Sequence, residues 1–443
     1  MKFFSARGAC LLILLSSMAS TAWCQDTGPG LFPLPPLPTV PGYPVTRVAA
    51  TDALWGQAEP SPVPQVGDLP KPASDQSVLS PEYLDSMKGG YDSGSCSSVA
   101  GPCGGSNCCH NHYVYANALL MTHNKMGGFV AATDSITGSP RVIFCNSEFG
   151  NLWSGGFEVG TGWCFGCNCN NAIELVYWGV FSSTFSSQAT DNINSTIDFG
   201  DLTYGGQPAN NFYQNAEFQR VAWGFNFNSV EFNLVGNSMC GGPFGCGMCG
   251  FCMGRSGSPW GFGYTTGFRY MNLSEHWLYS TNPTGFGLVG NPQELNYAVG
   301  LNNNLFGYQL GAGLSYCLTN RLTAYAIGKM GIYDNHVTQL QQVYGTLGNA
   351  VIANGPNAGQ DFLIRSQRDT LAMAAQFDLG GRWAITNNWS ANFGYRVLGL
   401  SGVAISEDNV QHNQFHNVDG IAFIQRQGSF ILHGMFAGAT YCW

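Results

Sequence analysis

Cysteine is the residue type whose spacing first invites a chemical reading. The 443-residue chain has 16, and ten of them gather in three groups: Cys103, Cys108 and Cys109; Cys164, Cys167 and Cys169; and Cys240, Cys246, Cys249 and Cys252. Cys246, Cys249 and Cys252 recur at every third position, and Cys108-Cys109-His110-Asn111-His112 mixes thiols with imidazoles. Zinc favours Cys-x2-Cys pairs completed by a second pair or by histidines. The groups lie in Gly-rich loops, however, and an exported compartment oxidises thiols. Disulfides within or between neighbouring loops are therefore the first reading, unpaired cysteines the second and a metal site the third. Parity does not choose among them. Removing Cys10 and Cys24 with a signal peptide leaves 16 − 2 = 14 cysteines, and removing Cys10 alone leaves 15. Covalent haem is disfavoured because no Cys-x2-Cys-His occurs.

A hydrolase would need a histidine paired with a nucleophile. His276, His336, His412, His416 and His433 are scattered, and no Gly-x-Ser-x-Gly elbow is present. Asp191-Asn192-Ile193-Asn194 through Asp198 only echoes a calcium loop. No catalytic residue, metal ligand or cofactor is assigned, and the chain is not expected to be an enzyme.

The remaining candidates are charges set among apolar residues: Glu158, Arg269, Lys329, Asp378, Arg382 and Arg396, with Glu174 beside them. Their meaning depends on what positions them. In Trp260–Met271 the residues Trp260, Phe262, Tyr264, Thr266, Phe268 and Tyr270 share one face of an extended chain. Gly261, Gly263, Thr265, Gly267, Arg269 and Met271 share the other. The pattern returns in Phe306–Tyr316, in Leu371–Thr386 with Asp378 and Arg382 on the polar side, and in Asn388–Leu400 with Arg396 on the polar side. Trp153, Phe157, Val159 and Trp163 oppose Ser154, Gly156, Glu158 and Gly160 in the same way. Runs of roughly ten residues with aromatics at their ends match tilted membrane-crossing strands. An Arg or Lys facing lipid at mid-plane costs roughly 2–4 kcal/mol, so such charges must face the lumen. There they either filter solutes or pair into a network that closes the interior, and the second reading is favoured.

Composition agrees with a barrel. Charged residues make up 10% and aromatics 13%, with 59 glycines, while mean hydropathy is −0.02; alternating faces average to neutrality. A soluble enzyme carries about a quarter charged residues. The net charge of −9 argues against nucleic-acid binding.

Residues 1–24 read as a secretory signal, with Lys2 and Arg7 before a short apolar core. Residues 25–92 read as a disordered Pro-rich linker, 93–110 as a Cys/Gly-rich segment and 111–443 as the barrel. The expected fold is all-β: an antiparallel up-and-down transmembrane β-barrel of about 12 strands, within 10–14. A bulge or tight turn is expected at Asn228–Ser229, where apolar parity slips. Polar loops are expected at 339–368 and 410–417. The terminal strand ends on Trp443, the type of signature that barrel-assembly machinery reads, and it must pair with the first strand to remove both open edges.

From about Cys109 to Trp443 the chain resembles the planctomycete outer-membrane beta-barrel family. The resemblance rests on Gly267-Phe268-Arg269-Tyr270 with Leu273 and Glu275, on Phe306-Gly307-Tyr308-Gln309-Leu310-Gly311, on Gly394-Tyr395-Arg396 through Leu398, and on His433-Gly434 through Phe436 and Gly438. It implies location and architecture and supplies no activity. The expected role is an integral outer-membrane protein of the bacterial envelope, structural or pore-forming, with outer-membrane lipid as its surroundings. The alternatives are an anchor that presents Cys-stapled loops to a partner and, behind it, an outer-membrane hydrolase.

Overall fold

The computed structural model describes residues 112–123, 129–144, 153–165, 171–237 and 259–443. The expected signal, Pro-rich linker and Cys/Gly-rich segment lie outside these, as does the loop holding Cys240, Cys246, Cys249 and Cys252.

Ten long antiparallel strands close on themselves: β1 (His112–His123), β2 (Ser154–Phe165), β3 (Asn171–Ser195), β4 (Ala216–Asn237), β5 (Trp260–Asn282), β6 (Leu295–Cys317), β7 (Leu322–Gly345), β8 (Leu363–Ala384), β9 (Trp389–Val403) and β10 (Gly428–Cys442). Each pairs with its neighbours in sequence, and β10 pairs with β1 from Tyr113↔Cys442 to His123↔Leu432. His112 and Trp443 exchange backbone hydrogen bonds of 3.1 and 3.0 Å, so the two ends of the barrel sheet seal each other. Two further strands, Phe129–Asp134 and Pro140–Phe144, extend the sheet from β3 outside the ring.

Among the described residues the ring has ten strands, the lower bound of the expected 10–14 and not its middle value of twelve. Trp260–Met271 reads as a complete crossing because Asn272, Ser274 and His276 interrupt the apolar face, yet it and Trp277–Tyr279 are not separate. They belong to one 23-residue strand, β5. A strand of this length, rising about 3.3 Å per residue and tilted about 45°, reaches roughly twice the ~25 Å apolar band of an outer membrane. The barrel therefore continues well beyond lipid, where its outer surface becomes polar.

The same continuation removes the bulge expected at Asn228–Ser229. Register runs unbroken through that point on both sides of β4; the irregularity lies on β3, between Val180 and Ser183. What changes is the face that carries apolar side chains. Val230, Phe232 and Leu234 point outward, whereas Val221, Trp223, Phe225 and Phe227 are buried inside. Other strands make the same exchange. In β5 the outward Phe268 and Tyr270 give way to the inward Met271, Leu273 and Trp277; in β6 the outward Phe306 gives way to the inward Leu305, Val299 and Tyr297. One half of the barrel has a greasy exterior and a charged interior. The other half has a polar exterior and a greasy interior.

Trp260 (56% exposed), Phe268 (53%), Trp389 (48%) and Tyr395 (39%) stand on the outside, with no second layer over them among the described residues. At the end where β1 begins and β10 ends, Trp260 packs on Tyr316 (ring centroids 4.7 Å apart), Trp389 on Tyr441 (4.8 Å), and His112 lies between Trp163 and Trp443 (6.0 and 5.7 Å). This is an aromatic girdle. From it to the exchange of faces, β6 spends the stretch Phe306–Tyr316, the length a tilted strand needs to cross hydrocarbon. Among the described residues no helix is long and apolar enough to cross a membrane.

The two expected polar loops are corrected as well. Gln339 and Gln341 are inward residues of β7, and β8 begins at Leu363, which leaves a shorter connection. The connection 404–427 turns into the distal mouth and buries Val410, Phe415, Ile421 and Ile424.

Candidate functional site

At the depth of the greasy exterior, alternation sends every second side chain of ten strands into the lumen, and sequence places a charge at several of those positions. Arg396 on β9 faces Asp378 across the β8–β9 ladder. Its Nε donates to Asp378 Oδ1 at 2.9 Å and its Nη2 to Oδ2 at 2.8 Å, while Nη1 reaches across the lumen to Glu158 on β2. Gln376 Nε2 donates to both Asp378 oxygens at 3.2 and 3.1 Å. A second cluster centres on Glu231 of β4. It accepts from Lys329 Nζ (2.8 Å), Gln309 Nε2 (2.8 Å) and Asn233 Nδ2 (3.0 Å), and Arg269 Nε lies 3.5 Å from its other oxygen. Arg269 also donates to Ser229 Oγ at 2.9 Å.

Trp178, fully buried on β3, joins the clusters. Its ring lies 5.6 Å from the Arg269 guanidinium and 5.0 Å from that of Arg396, an arrangement in which the ring's negative faces stabilise both cations. Tyr113 donates to Glu174 Oε2 at 2.7 Å. The tyrosines of β1 lie flat because β2 opposes them with glycine: a Cβ at Gly162 would come within 2.1 Å of the Tyr113 ring, and one at Gly160 within 2.2 Å of Tyr115. Arg382 stands 5.5 Å over Tyr325.

Of the six expected lumen charges, Glu158, Arg269, Asp378, Arg382 and Arg396 are buried among the strands and Lys329 is nearly so. Glu231, the centre of the second cluster, was missed; Val230 and Phe232 flank it on the lipid face, but the apparent slip of parity in β4 hid its direction. Among these side chains lies a cavity of ≈ 60 Å³, bordered by Tyr115, Asn117, Glu158, Glu174, Trp178, Lys329 and Arg382 among others. Barrels of about eight strands have interiors that side chains fill, and aqueous channels appear at sixteen or more. Ten strands with these large inward residues stand nearer the filled case.

Above the charges the lumen is packed with aromatics. Phe199 stacks on Tyr213 (4.1 Å) and Phe415 (5.0 Å), and Trp277 meets Tyr297 edge-on (5.4 Å). The strand wall holds the inward-turned connection 404–427 by polar anchors. Asn303 donates to Ala404 O (2.8 Å) and accepts from Ala404 N (2.9 Å); Glu275 accepts from Ser406 N (2.7 Å); Gln341 donates to Asn409 O (2.8 Å); Tyr297 accepts from Gln411 N (2.8 Å). These satisfy backbone groups that would otherwise be buried bare. In this connection burial, with the charges of Asp408 and Glu275, pushes the Glu407 carboxyl up to about 7.

Two histidines meet hydroxyls: His276 Nε2 lies 3.3 Å from Thr184 Oγ1, and His433 Nδ1 lies 2.5 Å from the Tyr395 hydroxyl. His336 pairs with Asp369 (2.6 Å) on the outer wall and His416 with Asp201 (2.7 Å) at the distal mouth. Among the described residues neither ring is hydrogen-bonded to a hydroxyl or thiol. No group of three or more His, Cys, Asp or Glu side chains is arranged to hold a metal among those residues.

Cys164, Cys317 and Cys442 are disulfide-bonded and all lie at the girdle end of the barrel. Cys317 and Cys442 escaped the sequence reading because each stands alone at a strand end. Cys103, Cys108, Cys109, Cys167 and Cys169 lie outside the described residues, like the four of the 240–252 group.

The sequence profile of the family described as "Putative beta barrel porin-7 (BBP7)" matches residues 115–443. Among solved structures, the chain is similar to the outer membrane protease OmpT from Escherichia coli, with 12% identity and a TM-score of 0.38 over 75% of this chain and 97% of that one. It is also similar to a major outer membrane protein from Thermus thermophilus (11% identity, TM-score 0.26, 75% of this chain and 98% of that one). The toluene transporter TodX of Pseudomonas putida is a third (9% identity, TM-score 0.24, 79% and 93%). No curated protein matches the chain.

Proposed function

This chain belongs to the beta barrel porin-7 family, and on that premise we propose that it is a closed outer-membrane barrel: an envelope anchor that presents its distal loops, not an open diffusion pore and not an enzyme. The filled lumen carries this reading. At membrane depth Arg396, Glu158, Asp378, Glu231, Lys329 and Arg269 bond one another across the interior, and above them connection 404–427 fills the mouth.

The girdle end, where β1 begins, β10 ends and the β6–β7 and β8–β9 turns are short, faces the periplasm in this proposal, as short turns do in bacterial barrels. Residues 1–24 direct export, 25–92 span the periplasm as a Pro-rich tether, and the cysteine groups form disulfides there; Cys164, Cys317 and Cys442 at that end support this. The strand ending at Trp443 is the segment offered to the assembly machinery. The Gly/aromatic motifs around Arg269 and Arg396 favour a planctomycete envelope.

A pore that admits small polar solutes is the second reading, favoured by the ≈ 60 Å³ cavity among ionisable side chains. Conductance across a planar bilayer separates the two. Purified protein, shown folded by its shifted mobility on an unheated gel, is expected to give no stepwise current; reproducible steps would establish the pore instead.

A further inference from the structure

Just beyond the lipid-facing band, on the outside of the barrel, five polar residues stand side by side in register: Asn228, Asn272, Asn304, His336 and Asp369 on β4 to β8. On β4–β6 they are amides, and the amides orient one another. Asn272 Nδ2 donates to Asn302 Oδ1 (2.6 Å) and Asn304 Oδ1 (3.0 Å), and Asn228 Nδ2 donates to Asn226 Oδ1 (2.6 Å). Two tyrosines at the edge of the lipid band point their hydroxyls up into this ladder: Tyr177 to Asn228 Oδ1 and Tyr270 to Asn304 Oδ1, both at 2.7 Å. The asparagines are half-buried and the ring of Tyr270 is exposed.

Charge is missing from this wall. Among the described residues the outward positions of β4–β6 carry no Asp, Glu, Lys or Arg from the edge of the lipid band up to Arg220 near the distal rim, and Thr184, Ser186 and Gln188 continue the surface on β3. An ordinary water-facing surface is roughly a quarter to a third charged. A surface that meets phosphate-bearing headgroups displays Lys and Arg, which pair with phosphate. This belt does neither. Amides offer donors and acceptors together, the combination that matches a hydroxyl-rich neutral ligand, and tyrosine adds an apolar ring face beside a polar tip.

The position of the belt selects the occupant. It continues directly from the acyl-chain surface made by Phe268, Phe306 and Tyr308, so a headgroup resting on it belongs to a lipid whose chains lie against those rings. We propose that the β4–β6 face binds the uncharged saccharide headgroup of a glycolipid in the leaflet at its distal end. This rests on the membrane-barrel reading above.

The test uses full-length protein reconstituted into vesicles of equal parts digalactosyldiacylglycerol and phosphatidylglycerol, gently extracted, with retained lipids counted by native mass spectrometry. Wild-type protein is expected to retain the galactolipid several-fold over phosphatidylglycerol. Asn272→Lys with Asn302→Lys, two outward positions whose change leaves the shifted unheated-gel mobility intact, is expected to reverse that order. Equal retention of both lipids, or a wild-type preference for phosphatidylglycerol, overturns the inference. So does a folded double variant that still prefers galactolipid. Protein that fails to enter vesicles at all overturns the membrane reading as well, which keeps the two failures distinct.

Discussion

Arg396 and Asp378 face each other on adjacent strands and share two parallel hydrogen bonds, at 2.9 and 2.8 Å, deep in the lumen. The fork is bidentate, and the guanidinium still has an Nη1 to spend on Glu158 across the barrel. Removing one partner of such a buried set costs about 3–5 kcal/mol, because the survivors stay charged and dry, whereas replacing all with apolar residues is often neutral. Arg396→Met is therefore expected to lower sharply the temperature at which the folded gel band converts to the unfolded one. Combining it with Asp378→Leu and Glu158→Leu is expected to recover much of the loss.

The exchange of faces sets a boundary that arginine scanning reads directly. Phe268 lies outside in the lipid band, and Ser274 lies outside on the same strand beyond it. Phe268→Arg is expected to cost roughly 2–4 kcal/mol in refolding into vesicles, and Ser274→Arg roughly 0–1 kcal/mol. Equal penalties would mean that lipid extends up the whole strand.

Asn303 holds both backbone groups of Ala404 at the point where connection 404–427 turns inward. Leucine in its place leaves a buried N–H and C=O bare, at a cost of about 1–3 kcal/mol. Protease cleavage within 404–427 is expected to quicken in Asn303→Leu while cleavage elsewhere is unchanged.

The same connection titrates. Burial, then the neighbouring carboxylates, raises Glu407 from 4.5 to about 7, and burial raises Asp408. A carboxyl raised in the folded state contributes stability that is whole below its unfolded value and is lost as pH climbs, here between about 4.5 and about 7. Asp201 runs the other way. Burial pushes it up, but hydrogen bonds with His416 and Asn354 outweigh that and hold it below 3.8, so its share is lost only in stronger acid. Protease sensitivity of 404–427 is therefore expected to rise from pH 5 to pH 8, and Glu407→Gln is expected to flatten that rise.

Much of the lipid-depth barrel was legible in the sequence, because period-two alternation is local: Phe268 and Arg269 declare opposite faces without reference to any partner. Lumen charges such as Arg382 and Arg396 followed from the cost of exposing them to lipid. What could not be read was where lipid stops. The alternation of Val221–Phe227 is as regular as that of Val230–Leu234, and only the surroundings decide that the first set faces in and the second faces out. Glu231 and the ten-strand count were lost at that point. The burial of Phe415 and Ile421 was lost for a different reason: a connection that folds back into its own barrel is held by Asn303 and Gln341, over a hundred and nearly seventy residues away from Ala404 and Asn409, a separation that no local pattern carries.

Connection 404–427 joins the last two strands, while the side chains that grip it, among them Asn303, Glu275 and Gln341, belong to β5–β7. Its docking platform therefore belongs to strands other than the two it joins, so one inserted segment ties the β9–β10 side of the ring to the β5–β7 side.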